Sequence, residues 1–144
     1  VFSSVASNLV AGDTNGTQDI FVKDRQTGAI QRVSTDAAGA QGDGYSSYAR
    51  FSADGRYVVF QSQASNLVAS DTNFVEDIFV KDLQTGAVTR VSTDAAGAQG
   101  DRSSFTASFS ADGRYVVFGS YSENLVPGDT NGVSDIFVYD RLGP

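Results

Sequence analysis

The chain has 144 residues, the length of one domain, and carries 17 acidic against 10 basic side chains, a formal charge of −7. Such a surface repels nucleic acid and anionic lipid, so neither nucleic-acid binding nor membrane insertion is expected. Cys, Met, Trp and His are all absent, which removes disulfides, thiolate and imidazole metal sites, the commonest general base and the strongest nucleophile.

Along the chain, one unit recurs every 58 residues. Asp13, Asp71 and Asp129 mark the period, as do Asp19, Asp77 and Asp135. Two blocks return unchanged, VSTDAAGAQGD at 33–43 and 91–101, and FSADGRYVVF at 51–60 and 109–118. A fixed period of this size marks a repeat architecture in which no unit stands alone. The units are 1–44 (partial), 45–102 (complete) and 103–144 (partial), all within one segment, 1–144. Val1 and Phe2 match Val59 and Phe60, so the chain is expected to open part-way through a strand, as a piece of something longer would.

In the complete unit, Ser52-Ala53-Asp54-Gly55 reads as a tight turn, because Asp-Gly between apolar runs is a strong hairpin signal. Tyr57-Val58-Val59-Phe60 follows as a strand, and Ile78-Phe79-Val80 as another. Both are apolar on two faces, which requires a layer on each side. Residues 81–86, KDLQTG, form a second hairpin loop, with Asp82 capping the turn and Gly86 closing it. Residues 88–92 are expected as a fourth strand, and TDAAGAQGD crosses to the next unit. No window has helical periodicity. The expected class is all-β: four-stranded antiparallel propeller blades, about two and a half of them here. The unit exceeds the usual ~40–50 residues because of one long loop between its second and third strands.

SADGRYVVFQS followed by DIFVKDLQTGAVTRVS resembles a blade of the TolB-like β-propeller family, whose S-x-D-G turn precedes a second strand and whose D-I-F-V-x-D run is a third. The resemblance covers essentially the whole chain. The NLVAGDTNG loop is similar to that of secreted bacterial propellers with tandem blades. It implies the propeller fold, and secretion or display at a bacterial cell surface.

The sharpest local pattern is that loop: DTNGTQD at 13–19, DTNFVED at 71–77 and DTNGVSD at 129–135. Alternating oxygens around a tight turn are what Ca²⁺ requires. The candidate ligands are the side chains of Asp13, Asn15 and Asp19 with the Thr17 carbonyl. Their counterparts are Asp71, Asn73, Val75 and Asp77, then Asp129, Asn131, Val133 and Asp135. Equally, Asp13 and Asn15 suit Asx turns without any ion. Phe74 in place of Gly16 and Gly132 weakens the turn in the second copy. Asn15-Gly16-Thr17 also matches the N-glycosylation sequon, which in a bacterial chain is coincidence with the turn.

No catalytic signature stands out. A Ser-Asp pair lacks its base, and Lys23 and Lys81 recur at one strand position where the third unit has Tyr139. Recurrence marks scaffold, so the chain is read as non-enzymatic. Tyr45, Tyr48 and Phe105 depart from the repeat just before a first strand and are expected to cover a core edge rather than stack on sugars. The reading is therefore an extracellular structural or interaction scaffold, with calcium in its loops as a candidate stabiliser. It would assemble head-to-tail with itself or belong to a longer chain, with closing contacts at 2–4 and 135–140. The alternative is a lectin-like propeller that binds a glycan or small molecule.

Overall fold

The computed structural model describes residues 1–143. Ten strands run β1 (Phe2–Ser4), β2 (Asp19–Lys23), β3 (Ile30–Arg32), β4 (Ser46–Phe51), β5 (Tyr57–Ser62), β6 (Asp77–Asp82), β7 (Val88–Arg90), β8 (Ser104–Phe109), β9 (Tyr115–Ser120) and β10 (Asp135–Asp140). Among the described residues there is no helix. The strands form three antiparallel sheets, β1-β2-β3, β4-β5-β6-β7 and β8-β9-β10. Each is a blade. Among the described residues the first has no strand before β1 and the third none after β10.

The blade hairpins form where the turn chemistry sits. Between β4 and β5, Gly55 takes φ +71°, while the Ser52 hydroxyl donates to Asp54 and accepts from the Tyr57 amide at 2.9 Å. Between β6 and β7, Asp82 Oδ1 accepts from the amides of Gln84 and Thr85, and Gly86 takes φ +79°. The third blade repeats the first of these turns at Ser110 and Asp112.

Apolar residues on both faces of β5 and β6 serve two cores. Val58, Phe60 and Phe79 face the first blade and pack with Ile20, Val33 and Leu67. Val59, Ile78, Val80 and Val91 face the third and pack with Ala107, Val116 and Phe118. Stacked phenylalanines recur in every blade, Phe2 on Phe21, Phe60 on Phe79 and Phe118 on Phe137, with centroids 5.8–5.9 Å apart.

Two expectations need correction. The fourth strand is shorter than 88–92, ending at Arg90, because Val91 and Ser92 already turn toward the crossover. Tyr48 and Phe105 lie inside first strands rather than before them. Both strands carry a bulge, with register shifts between Ser47 and Arg50 and between Phe105 and Ser108. Tyr48 and its counterpart Thr106 sit at the bulge with φ +51° and +52°.

Candidate functional site at the blade junctions

The three Asp-Thr-Asn loops close in the same way. Asn15 Oδ1 accepts from the Thr17 amide at 3.1 Å, and its Nδ2 donates to Asp19 Oδ2 at 3.2 Å. Asn73 repeats this with Val75 and Asp77 at 3.2 and 3.1 Å, and Asn131 with Val133 and Asp135 at 2.9 and 2.8 Å. These are Asx turns. Residues 17, 75 and 133 contribute amides to them. Phe74 adopts φ +57° against +67° at Gly16 and +70° at Gly132, so the second turn keeps its shape.

The loop brings Asp13 and Asp19 together through residues that the spacing alone did not reveal. Gln41 Nε2 donates to Asp13 Oδ1 and to Asp19 Oδ2, both at 2.9 Å. Ser34 Oγ donates to Asp19 Oδ1 at 2.6 Å and accepts from the Ile20 amide. The Arg32 guanidinium lies 3.5 Å from Asp13 and 3.6 Å from Asp19. Asp71, Asp77, Arg90, Ser92 and Gln99 repeat the arrangement. Both arginines are nearly buried, and their facing nitrogens make ion pairs but no hydrogen bond. Burial pushes the Asp77 carboxyl above its ordinary range, and burial together with the nearby Asp77 charge does the same to Asp71. The signal available in the sequence was an Arg-Val-Ser run followed by Gln at one fixed distance, in the first two copies.

Among the described residues, Asp129 and Asp135 have neither guanidinium nor glutamine. They line a cleft of about 460 Å³ with Val126, Asn131 and Phe137. Nor, among those residues, do three or more acidic side chains converge in any loop as a metal cage.

The crossover that supplies Gln41 also grips the next blade. Asp43 accepts from the Ser65 amide at 2.7 Å and the Ser65 hydroxyl at 2.8 Å, and its own amide donates to Asn66 Oδ1. Asn66 Nδ2 returns a bond to the Gln41 carbonyl at 2.8 Å. Asp101, Glu123, Asn124 and Gln99 repeat the clasp, and Glu123 adds an ion pair to Arg102 at 2.8 Å. A Cβ at residue 100 would lie 2.7 Å from Ser122 Oγ, so any other residue there would turn that hydroxyl away from its bonds to Arg102.

Lys81 crosses the same junction. Its Nζ donates to the carbonyls of Thr35 and Asp36 and to Thr35 Oγ1 at 2.7–3.1 Å. Burial lowers its pKa. The equivalent Lys23 is exposed, and Tyr139 packs against the second core instead.

A second feature departs from the repeat. Phe2, Gln18, Tyr45, Ser47 and Tyr48 line a cleft of about 290 Å³ between the first two blades. Ser47 Oγ is buried there without a partner. At the next junction Gln61 fills the equivalent space, donating to Glu76 and accepting from the Thr106 amide. Tyr45 accepts from Gln18, and Phe105 packs on Tyr121 with the rings tilted at 46°, as packing residues should. Tyr48, 68% exposed, departs from that expectation, because the bulge turns it outward.

Comparison with solved structures follows this architecture. A putative TolB from Agrobacterium tumefaciens superimposes with a TM-score of 0.56 at 22% identity, over 90% of this chain and 40% of that one. The fold is that of a TolB-like β-propeller. TolB from Acinetobacter baumannii matches with a TM-score of 0.50 at 23% identity, over 88% of this chain and 25% of that one. The chain thus spans less than half the length of these propellers. No protein-family model and no curated protein matches it by sequence.

Proposed function

We propose that this segment is a non-catalytic propeller scaffold whose recurring polar side chains join blade to blade. The observation that carries this reading is the clasp at Gln41 to Asp43 and again at Gln99 to Asp101, where Asp43 with Asn66 and Asp101 with Asn124 make the same inter-blade bonds one period apart. A catalytic group is needed once, whereas a joint is needed at every junction. Its test is the quadruple substitution of Asp43, Asn66, Asp101 and Asn124 by Ala. The expected result is separate, broadened melting of the blades in calorimetry. A single sharp transition at the parent temperature would overturn the reading.

In this reading the guanidiniums of Arg32 and Arg90 take the role that a calcium ion would otherwise have, and the loops hold their shape as Asx turns without an ion. Arg32 and Arg90 each offset one of the two carboxylates they face, and the guanidinium occupies the side from which a second cation would approach. The third loop offers two carboxylates and one amide, fewer than the six to eight oxygens Ca²⁺ takes. Excess calcium and excess chelator should therefore give the same melting temperature. A filled site at a hundred times its dissociation constant would separate them by roughly 5–10 °C.

The blade faces left open at each end suit stacking on further blades, in a second copy or elsewhere in a longer polypeptide, and light scattering reads the resulting mass. Secretion or surface display in a bacterium is the setting proposed, resting on the tandem-blade resemblance and tested by cell fractionation. A lectin-like reading has one observation in its favour, the cleft with Tyr45, outward Tyr48 and the unpartnered Ser47 hydroxyl. A glycan array separates it from the scaffold reading, since Tyr48→Ala should abolish any sugar signal found.

A further inference from the structure

We propose that the cleft between the first two blades binds an N-acetylhexosamine, the acetamido group of the sugar standing where a glutamine side chain stands at the next junction. This deepens the lectin-like reading and rests on it. In a chain that repeats its scaffold residue for residue, change is concentrated here. Tyr45, Ser47, Tyr48 and Arg50 stand where the next unit has Ser103, Phe105, Thr106 and Ser108, whereas 51–60 return unchanged at 109–118. A joint is needed at every junction, but a ligand site is needed once.

The second junction shows what such a site accepts. There the Gln61 carboxamide bridges two blades: its Nε2 donates to Glu76 at 3.1 Å, and its Oε1 accepts from the Thr106 amide at 3.3 Å. At the first junction Ser3 takes the position of Gln61, its backbone fixed by pairing with Ile20. The shorter side chain leaves the cleft of about 290 Å³. The groups around it suit a carbonyl beside an N–H. The Tyr48 amide, counterpart of the one that Thr106 gives to Gln61, lies in the bulge outside the β4–β5 ladder. Gln18 replaces Glu76. Its Nε2 is spent on the Tyr45 hydroxyl at 3.0 Å and the Ser46 carbonyl at 3.2 Å, which leaves its Oε1 to accept. Ser47, only 3% exposed, has no partner for its hydroxyl among the described residues. An orphaned buried hydroxyl costs free energy that a polar ligand atom recovers.

Size and charge narrow the ligand. The cleft is at the lower end of the range for ligand pockets, so it takes a single sugar ring. Phe2, Tyr45 and Tyr48 line it and keep part of their rings in solvent, as faces that stack on a pyranose must. A carboxylate is a poorer occupant, because it brings no N–H to Gln18 and the chain's charge of −7 repels it. A plain hexose brings hydroxyls but not the paired carbonyl and N–H.

The probes are N-acetylglucosamine, N-acetylgalactosamine, glucose and glucosamine, each titrated against the intact chain in saturation-transfer NMR. Saturable binding of the two acetylated sugars is expected, with the strongest transfer at the acetyl methyl. Glucose and glucosamine should bind at least tenfold more weakly. Ser3→Gln supplies the carboxamide from the chain itself, and should abolish binding while leaving the melting temperature at or above the parent's. Tyr48→Ala removes an aromatic wall and should weaken binding tenfold or more. Equal binding of glucose, a folded Ser3→Gln chain that binds as the parent does, or unchanged binding by Tyr48→Ala would each overturn the acetamido assignment and leave the lectin-like reading standing. No saturable binding of any of the four sugars would overturn both. The clasp substitutions test the scaffold reading separately.

Discussion

At the scale of single residues, Phe74 and Arg90 show how the repeat tolerates and exploits side chains. Phe74 holds a left-handed backbone, φ +57°, with its ring 82% exposed, where the other copies have glycine. A β-carbon in that region costs roughly 1–2 kcal/mol, and no buried contact offsets it. Phe74→Gly should therefore raise stability by about 1 kcal/mol, less what glycine adds to the entropy of the unfolded chain. A higher urea midpoint with an unchanged slope is the expected observation; a lower midpoint would mean that the ring stabilises the loop.

Arg90 is the opposite case. Removing one member of a buried charge pair leaves the other uncompensated, at a cost of about 3–5 kcal/mol. Arg90→Met should approach that cost at neutral pH. The sign of its pH dependence follows from the raised carboxyls. Asp71 and Asp77 have folded pKa values above their unfolded ones, so their charged forms cost stability above the folded pKa, and protonation relieves that cost as pH falls. Without the guanidinium the cost is larger and the relief greater. The gap between parent and variant should shrink as pH drops through the folded pKa values toward about 4. Urea melts at a series of pH values measure it, and a gap that widens on acidification would contradict the pairing.

At the scale of strands, two departures from the repeat compensate each other. Ser47 lies opposite Gln61 on β4 and β5, whereas Phe105 lies opposite Gly119 on β8 and β9. A Cβ at Gly119 would stand 2.6 Å from the Phe105 ring, which leans on Tyr121 instead. One small and one large side chain occupy each pair, in opposite order. Gly119→Gln alone should therefore destabilise by about 2–3 kcal/mol through overpacking, and Phe105→Ser alone through lost burial. Together they recreate the second blade's pair, so the double variant should be more stable than the sum predicts by about 1–2 kcal/mol. Simple additivity in the thermodynamic cycle would show that the two sites are independent.

At the scale of the whole molecule, three equivalent isoleucines separate sequence from environment. Ile20 and Ile78 are fully buried because the following blade covers them, while Ile136 is 72% exposed and Val138 63%. A charge buried at the first kind of site cannot be hydrated, whereas at the second it stays in water. Ile78→Asp should unfold the chain at room temperature, and Ile136→Asp should leave the melting temperature of the isolated chain within about 2 °C. If Ile136→Asp also lowers the particle mass in light scattering, that face is the one that stacks on further blades.

The local features of this protein follow from its sequence alone. The period is visible as recurring blocks, and the Ser-x-Asp-Gly and Asp-x-x-Thr-Gly turns and the Asx geometry of Asn15, Asn73 and Asn131 depend on residues within one hairpin or loop. Turn chemistry and alternation act over a few residues, so they are legible without knowing what lies alongside. The contacts of Asp13 and Asp19 were not legible in this way. Whether such carboxylates meet an ion or a guanidinium depends on where Arg32, Ser34 and Gln41 arrive after a strand and a crossover, and only blade stacking sets that path. The bulge that turns Tyr48 out and the contrast between Ile78 and Ile136 have the same origin. A β-strand is half a structure: its sequence says which faces are apolar, and the neighbouring sheet decides which of them water reaches.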